Sequence, residues 1–129
     1  MLSRRDFLNF SAATIALTSL PNQIQSKQLI RNYKLTAGIT THLFDNKGVL
    51  DSLWLYNKQT PGPVIEANEN DIIRVKFVNN LDEPSTIHWH GIKNINKMDG
   101  VPYLTQEPVQ PGETYIYEFP VKNAGTFWY

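Results

Sequence analysis

Two histidines one residue apart, His88 and His90, stand in the stretch STIHWHGI, Ser85 to Ile92. If that stretch is extended, alternate side chains share a face, so both imidazoles point together and Trp89 points away. Strand rise then puts their Cα atoms about 6.5 Å apart. This is wide for two ligands of one tetrahedral ion, but it suits two imidazoles serving two neighbouring ions. Gly91 removes a side chain beside the pair and lets a backbone or an ion come close. Taken alone, H-x-H reads more readily as two half-exposed strand histidines that bind nothing. His42, alone in a Thr-rich strand, reads as a surface or packing residue. Asp99, in KMDG, reads from its own surroundings as a turn aspartate before Gly100.

The rest of the composition narrows what such a pair could do. The sequence has no cysteine, which excludes a disulfide framework, iron–sulfur and cysteine–zinc sites, and a cysteine nucleophile. Metal chemistry would have to use histidine and carboxylate. Lys and Arg number 12, as do Asp and Glu, so no charge excess draws the chain to nucleic acid or an anionic membrane. Nucleic acid is not expected as a partner.

Aromatic and β-branched residues are plentiful and long runs of helix formers are missing, which points to an all-β domain. YKLTAGITTHLF reads as a first strand bent at Gly38, and DNKG turns it into VLDSLWLYN. Pro61 and Pro63 keep TPGPVI out of any central strand. DIIRVKFVNN alternates Ile72, Arg74 and Lys76 against Ile73, Val75 and Phe77. STIHWHGI is the next strand. VQPGETYIYEFPV turns at Pro111-Gly112 into a strand with Tyr115, Tyr117 and Phe119 on one face, and AGTFWY begins one more. About seven short strands with no helix between them predict an antiparallel sandwich, since a parallel sheet would call for crossover helices. Trp89, Trp128 and Tyr129 read as core aromatics, and Glu66 and Glu69 as solvent-facing.

The first residues have a different character. Arg4 and Arg5 precede an apolar segment from about Phe7 to Leu20 that is free of charge after Asp6. The layout is that of a signal peptide, too short and too diluted by Ser, Thr and Asn to remain as a stable membrane anchor. SRRDFL resembles the twin-arginine export motif, whose paired arginines are read by the export machinery. Residues 1–27 are therefore expected to be a twin-arginine-type signal peptide, with cleavage between Leu20 and Gln28. The mature protein is expected to be periplasmic or otherwise exported.

From about Tyr56 to Tyr129 the sequence resembles the N-terminal cupredoxin-like domain of multicopper oxidases, notably the laccase-like and copper-resistance branch. The likeness rests on P-G-P, D-x-x-x-V, H-W-H-G, D-G-V-P, P-G-x-x-x-x-Y and G-T-F-W-Y, which occur in the family's order. The resemblance implies a cupredoxin-like Greek-key β-sandwich over 28–129, a plastocyanin-like domain of multicopper oxidase type 3.

It further implies copper. In that family a type 1 copper takes single electrons from a substrate, phenol-like or a metal ion, and passes them to a trinuclear cluster that reduces dioxygen to water. Eight histidines in four H-x-H pairs hold that cluster. By position His88 matches a type 2 ligand and His90 a type 3 ligand. Asp99 falls where the family has a carboxylate near the cluster, suited to relaying protons or fixing a water there. The type 1 site needs a cysteine thiolate, which this chain lacks. The sequence stops at GTFWY, where the resemblance implies that a second H-x-H pair follows. The expectation is thus the N-terminal part of an exported oxidase, incomplete at its C-terminus and inactive alone. The alternative is a stand-alone periplasmic copper-binding module without turnover.

Overall fold

A computed structural model of the chain describes residues 28–43 and 48–129. The leader with Arg4 and Arg5 lies outside the described residues, as does the side chain of His42. Among the described residues the strands are β1 (Ile30–Leu43), β2 (Val49–Tyr56), β3 (Ile72–Asn80) and β4 (Thr114–Pro120). They form one sheet in the order β2-β1-β3-β4, and a short 3₁₀ turn spans Asn96–Met98.

Alternation decides which face is buried. Along β3, Ile73, Val75, Phe77 and Asn79 are buried while Arg74 and Lys76 face the other way. On β4, Tyr117 and Phe119 do the same, and on β1 Leu35 and Ala37 complete the inner face. Phe77, Val75, Leu35 and Tyr117 have no exposed surface at all. Each apolar side chain so enclosed contributes about 1.5–3 kcal/mol of transfer free energy. The covering layer over this face comes from extended segments that carry Leu81, Ile87, Trp89 and Val109 into the same core.

The all-β class agrees with the sequence, but the pairing differs in two ways. β1 runs parallel to β3, in register from Ile30 opposite Ile72 to Gly38 opposite Asn80. Among the described residues no helix makes this crossover. The chain returns instead as β2, antiparallel on the other edge of β1, and then as the extended run through 57–71. A strand and a loop together supply the length that a parallel connection needs. Second, STIHWHGI and AGTFWY are extended without being ladder strands. They touch the rest through isolated bridges, Ser85 to Val109 and His90 to Trp128.

Two buried polar side chains fasten segments to the sheet, Asn79 the covering layer and Asp71 the chain before β1 and β3. Asn79, fully buried, donates from Nδ2 to the carbonyls of Glu83 and Val109, both at 2.8 Å, and accepts from the N–H of Leu81 at 3.1 Å. Its amide is thereby satisfied, as a buried amide must be. Asp71 accepts from Arg31 Nε at 2.8 Å and from the backbone N–H groups of Asn68 and Leu29 at 3.1 and 3.3 Å. Those bonds hold its carboxyl below the usual carboxylate range, the Arg31 bond most of all.

Candidate metal centre

The segment around the histidines is extended because its alternate residues belong to the core. Ile87 and Trp89 are 1% and 3% exposed. The Ile87 N–H donates to the Tyr117 hydroxyl at 2.9 Å, tying the segment to β4. The Trp89 ring meets Phe119 at 5.2 Å, Tyr117 at 5.5 Å and Tyr129 at 5.8 Å. Burial pushes the Tyr117 hydroxyl up to about 12, although the Ile87 N–H pulls the other way. With Ile87 and Trp89 turned inward, His88 and His90 turn outward together. Their ring centroids are 4.7 Å apart and their planes inclined by 71°.

Asp99 reaches this place from the 3₁₀ turn. That turn is held by Asn94 Nδ2, which donates to the Met98 carbonyl at 2.9 Å, and by Tyr115, whose hydroxyl donates to the Lys97 carbonyl at 3.2 Å. The Glu118 N–H of β4 points at Met98 Sδ, 3.4 Å away. Gly100 then turns the chain with φ +75° and packs it against the backbone of Ile87 and His88.

The contact that results is made by the main chain of Asp99. His88 Nδ1 lies 2.7 Å from the Asp99 carbonyl oxygen and 3.7 Å from its carboxylate Oδ1. A carbonyl only accepts, so Nδ1 carries the hydrogen and neutral His88 keeps its lone pair on Nε2. Metal-ligating histidines are oriented in this way by an acceptor on the second nitrogen. His88 thus has the tautomer of a metal-ligating histidine, and His90 lies beside it on the same side of the segment. Among the described residues no three His, Cys, Asp or Glu side chains gather around one ion, so these two imidazoles are an incomplete ligand set.

The structure brings His88, His90 and Asp99 together. It leaves Glu66 and Glu69 exposed on the surface, as the sequence suggested. Trp89 and Tyr129 lie in or against the core, but Trp128 does not. It is 68% exposed and stacks on His90, with centroids 5.2 Å apart and planes 18° from parallel. The expectation that Trp128 is a core aromatic is corrected by its position opposite His90. The signal for it was the register of GTFWY against HWHG, which sequence alone does not supply.

Residues 39–129 match the sequence model of the multicopper oxidase family, and the chain belongs to that family. It is 38% identical over 124 residues to Laccase-1 of Cryptococcus neoformans var. grubii, covering 92% of this chain and 20% of the relative. Over 73 residues it is 48% identical to copper resistance protein A of Escherichia coli, covering 57% of this chain and 12% of the relative. Among solved structures, a multi-copper oxidase from Pseudomonas thermotolerans superimposes with a TM-score of 0.74 at 43% identity, covering 79% of this chain and 25% of that one. The chain thus spans about a fifth or less of the length of these curated relatives.

Proposed function

We propose that His88 and His90 are copper ligands in a multicopper oxidase, His88 toward a type 2 ion and His90 toward a type 3 ion of a trinuclear cluster. The observation that carries this reading is the 2.7 Å approach of His88 Nδ1 to the Asp99 carbonyl, a contact that requires the hydrogen on Nδ1 and so leaves Nε2 for a metal. The 4.7 Å ring separation supports two donors aimed into one region. Imidazole nitrogen suits copper in both oxidation states. Copper, when bound, would carry electrons one at a time from a reducing substrate, phenol-like or a metal ion, to dioxygen. The part of this chain is to hold and aim two donors, while Asp99 Oδ1 stands close by as a site that takes up and releases protons.

Two donors are a fraction of the ligands such a cluster needs, and the sequence holds no cysteine for an electron-entry site. The chain by itself would therefore bind copper weakly and turn over no dioxygen. Residues 1–27 would direct export by the twin-arginine route to the periplasm, leaving 28–129 as the copper-binding domain. Replacing Arg4 and Arg5 with lysine would then retain the protein inside the cell, because ammonium does not reproduce the guanidinium fork.

Calorimetric titration with Cu(II) of the wild type and the His88→Ala/His90→Ala variant tests the ligand reading. Loss of heat in the variant is expected. Equal affinity in both would remove the pair from any metal site.

A further inference from the structure

The two histidines are held by different means. The ring of His88 is fixed by its hydrogen bond to the Asp99 carbonyl. The ring of His90 has no hydrogen-bond partner among the described residues. It meets two other rings, His88 edge-on and Trp128 nearly parallel.

The stack follows from backbone register. His90 and Trp128 are opposite members of an antiparallel bridge, and the His90 N–H donates to the Trp128 carbonyl at 3.0 Å. Directly opposed residues of such a bridge carry their Cβ atoms about 4.5–5.5 Å apart, close enough for flat rings to lie face to face. The neighbours of Trp128 prevent its segment from sliding. Phe127 fills the space at Gly91 and Gly125, where an added Cβ would meet its ring at 3.3 and 2.8 Å. Tyr129 donates from its hydroxyl to the Pro63 carbonyl at 2.7 Å and packs on Trp89.

We infer that Trp128 is the positioning residue of His90, its indole face setting the plane in which the imidazole offers its nitrogens to a metal. The inference rests on the reading of His90 as a copper ligand. The lone pair of a neutral imidazole lies in the ring plane on the nitrogen that carries no hydrogen, so a partner stacked on the face leaves it free. An unsupported ring loses rotamer freedom when it binds, and the stack removes that loss beforehand. Deleting the indole should therefore weaken Cu(II) binding by about three- to tenfold.

The test uses the full chain and three variants, Trp128→Ala, Trp128→Phe and Trp128→Leu. In the metal-free protein, the His90 ring protons should be shifted upfield by the indole ring current in wild type, less so in Trp128→Phe, and not at all in Trp128→Ala. Cu(II) titration should show the weakening in Trp128→Ala and Trp128→Leu and its recovery in Trp128→Phe. If Trp128→Ala fails to fold, the Phe and Leu variants decide, since both fill space and only Phe presents a face. Equal Cu(II) affinity for Phe and Leu, or wild-type affinity in Trp128→Ala, overturns the inference while leaving the ligand reading intact. If His90→Ala alone keeps full Cu(II) affinity, His90 is not a ligand and the inference falls with that reading. The ring-current shift would then report a stack with no metal role.

Discussion

The main-chain carbonyl of Asp99, 2.7 Å from Nδ1, fixes the ring of His88, while the Asp99 carboxylate stands off at 3.7 Å. In the proposed reading this one residue has two separable functions, its backbone orienting a donor and its side chain serving protons.

Gly100 is what brings that carbonyl into place. At φ +75°, an added Cβ would fall 1.7 Å from the Ile87 carbonyl oxygen, which is backbone and cannot swing away. Gly100→Ala should cost at least about 2 kcal/mol in urea denaturation, from the strained φ plus the clash. It should also weaken copper binding, since the Asp99 carbonyl and the His88 backbone would be forced apart. A variant within about 0.5 kcal/mol of wild type, in the range of ordinary surface substitutions, would show that the turn relaxes freely.

Asp99→Asn keeps the carbonyl and the size of the side chain but removes the charge. His88 should stay oriented, so copper content should be unchanged. In the intact oxidase, turnover should fall. Wild-type rates across the working pH range would reduce Asp99 to a turn residue.

Tyr117 joins the core to the histidine segment through its hydroxyl. Tyr117→Phe leaves the buried Ile87 N–H without its acceptor and should destabilise by about 1–3 kcal/mol. The same hydroxyl predicts an alkaline limit. Burial raises both Tyr117 and Tyr56 to about 12, so the fold favours their neutral forms. That contribution is complete below the ordinary tyrosine value of about 10 and is lost as pH rises through about 12. Denaturation midpoints measured from pH 8 to 12 should fall over that window, and less steeply in Tyr117→Phe.

At the acid end Asp71 governs. Its carboxyl is held low first by the Arg31 bond and then by the Asn68 N–H, so the charged form is the one that stabilises. The contribution is complete above the ordinary carboxylate range, near pH 4, and disappears as pH falls through the depressed value. Asp71→Asn should be less stable than wild type at neutral pH, and the two should converge in strong acid. Parallel stability curves down to pH 2 would mean that the Arg31 bond carries no net stability.

How far the sequence reached depends on the range of each signal. Period-two alternation is local, and it correctly assigned the inner faces of Ile73-Val75-Phe77 and Tyr117-Phe119. The H-x-H spacing is local too, and it placed both imidazoles on one side. Whether two extended runs actually pair is a long-range matter. Nothing in IRNYKLTAG announces that it lies parallel to IIRVKFVNN, because parallel and antiparallel neighbours need the same apolar alternation. The stack of Trp128 on His90 was hidden for the same reason, as was the identity of the Asp99 atom that meets His88. A carbonyl leaves no mark in the residue type.

The parallel pairing of β1 with β3 also bears on how the protein is made. β1 leaves the ribosome before β3 yet lies between β2 and β3 in the finished sheet. A nascent chain can form the β1–β2 hairpin early, but the inner flank of β1 stays open until Asn80 has emerged, and β4 can dock only after that. Pairings between segments so distant in sequence close slowly. During synthesis the apolar face of Leu35 and Ala37 therefore stays uncovered beyond the appearance of β3, until Leu81, Ile87, Trp89 and Val109 of the covering layer have emerged.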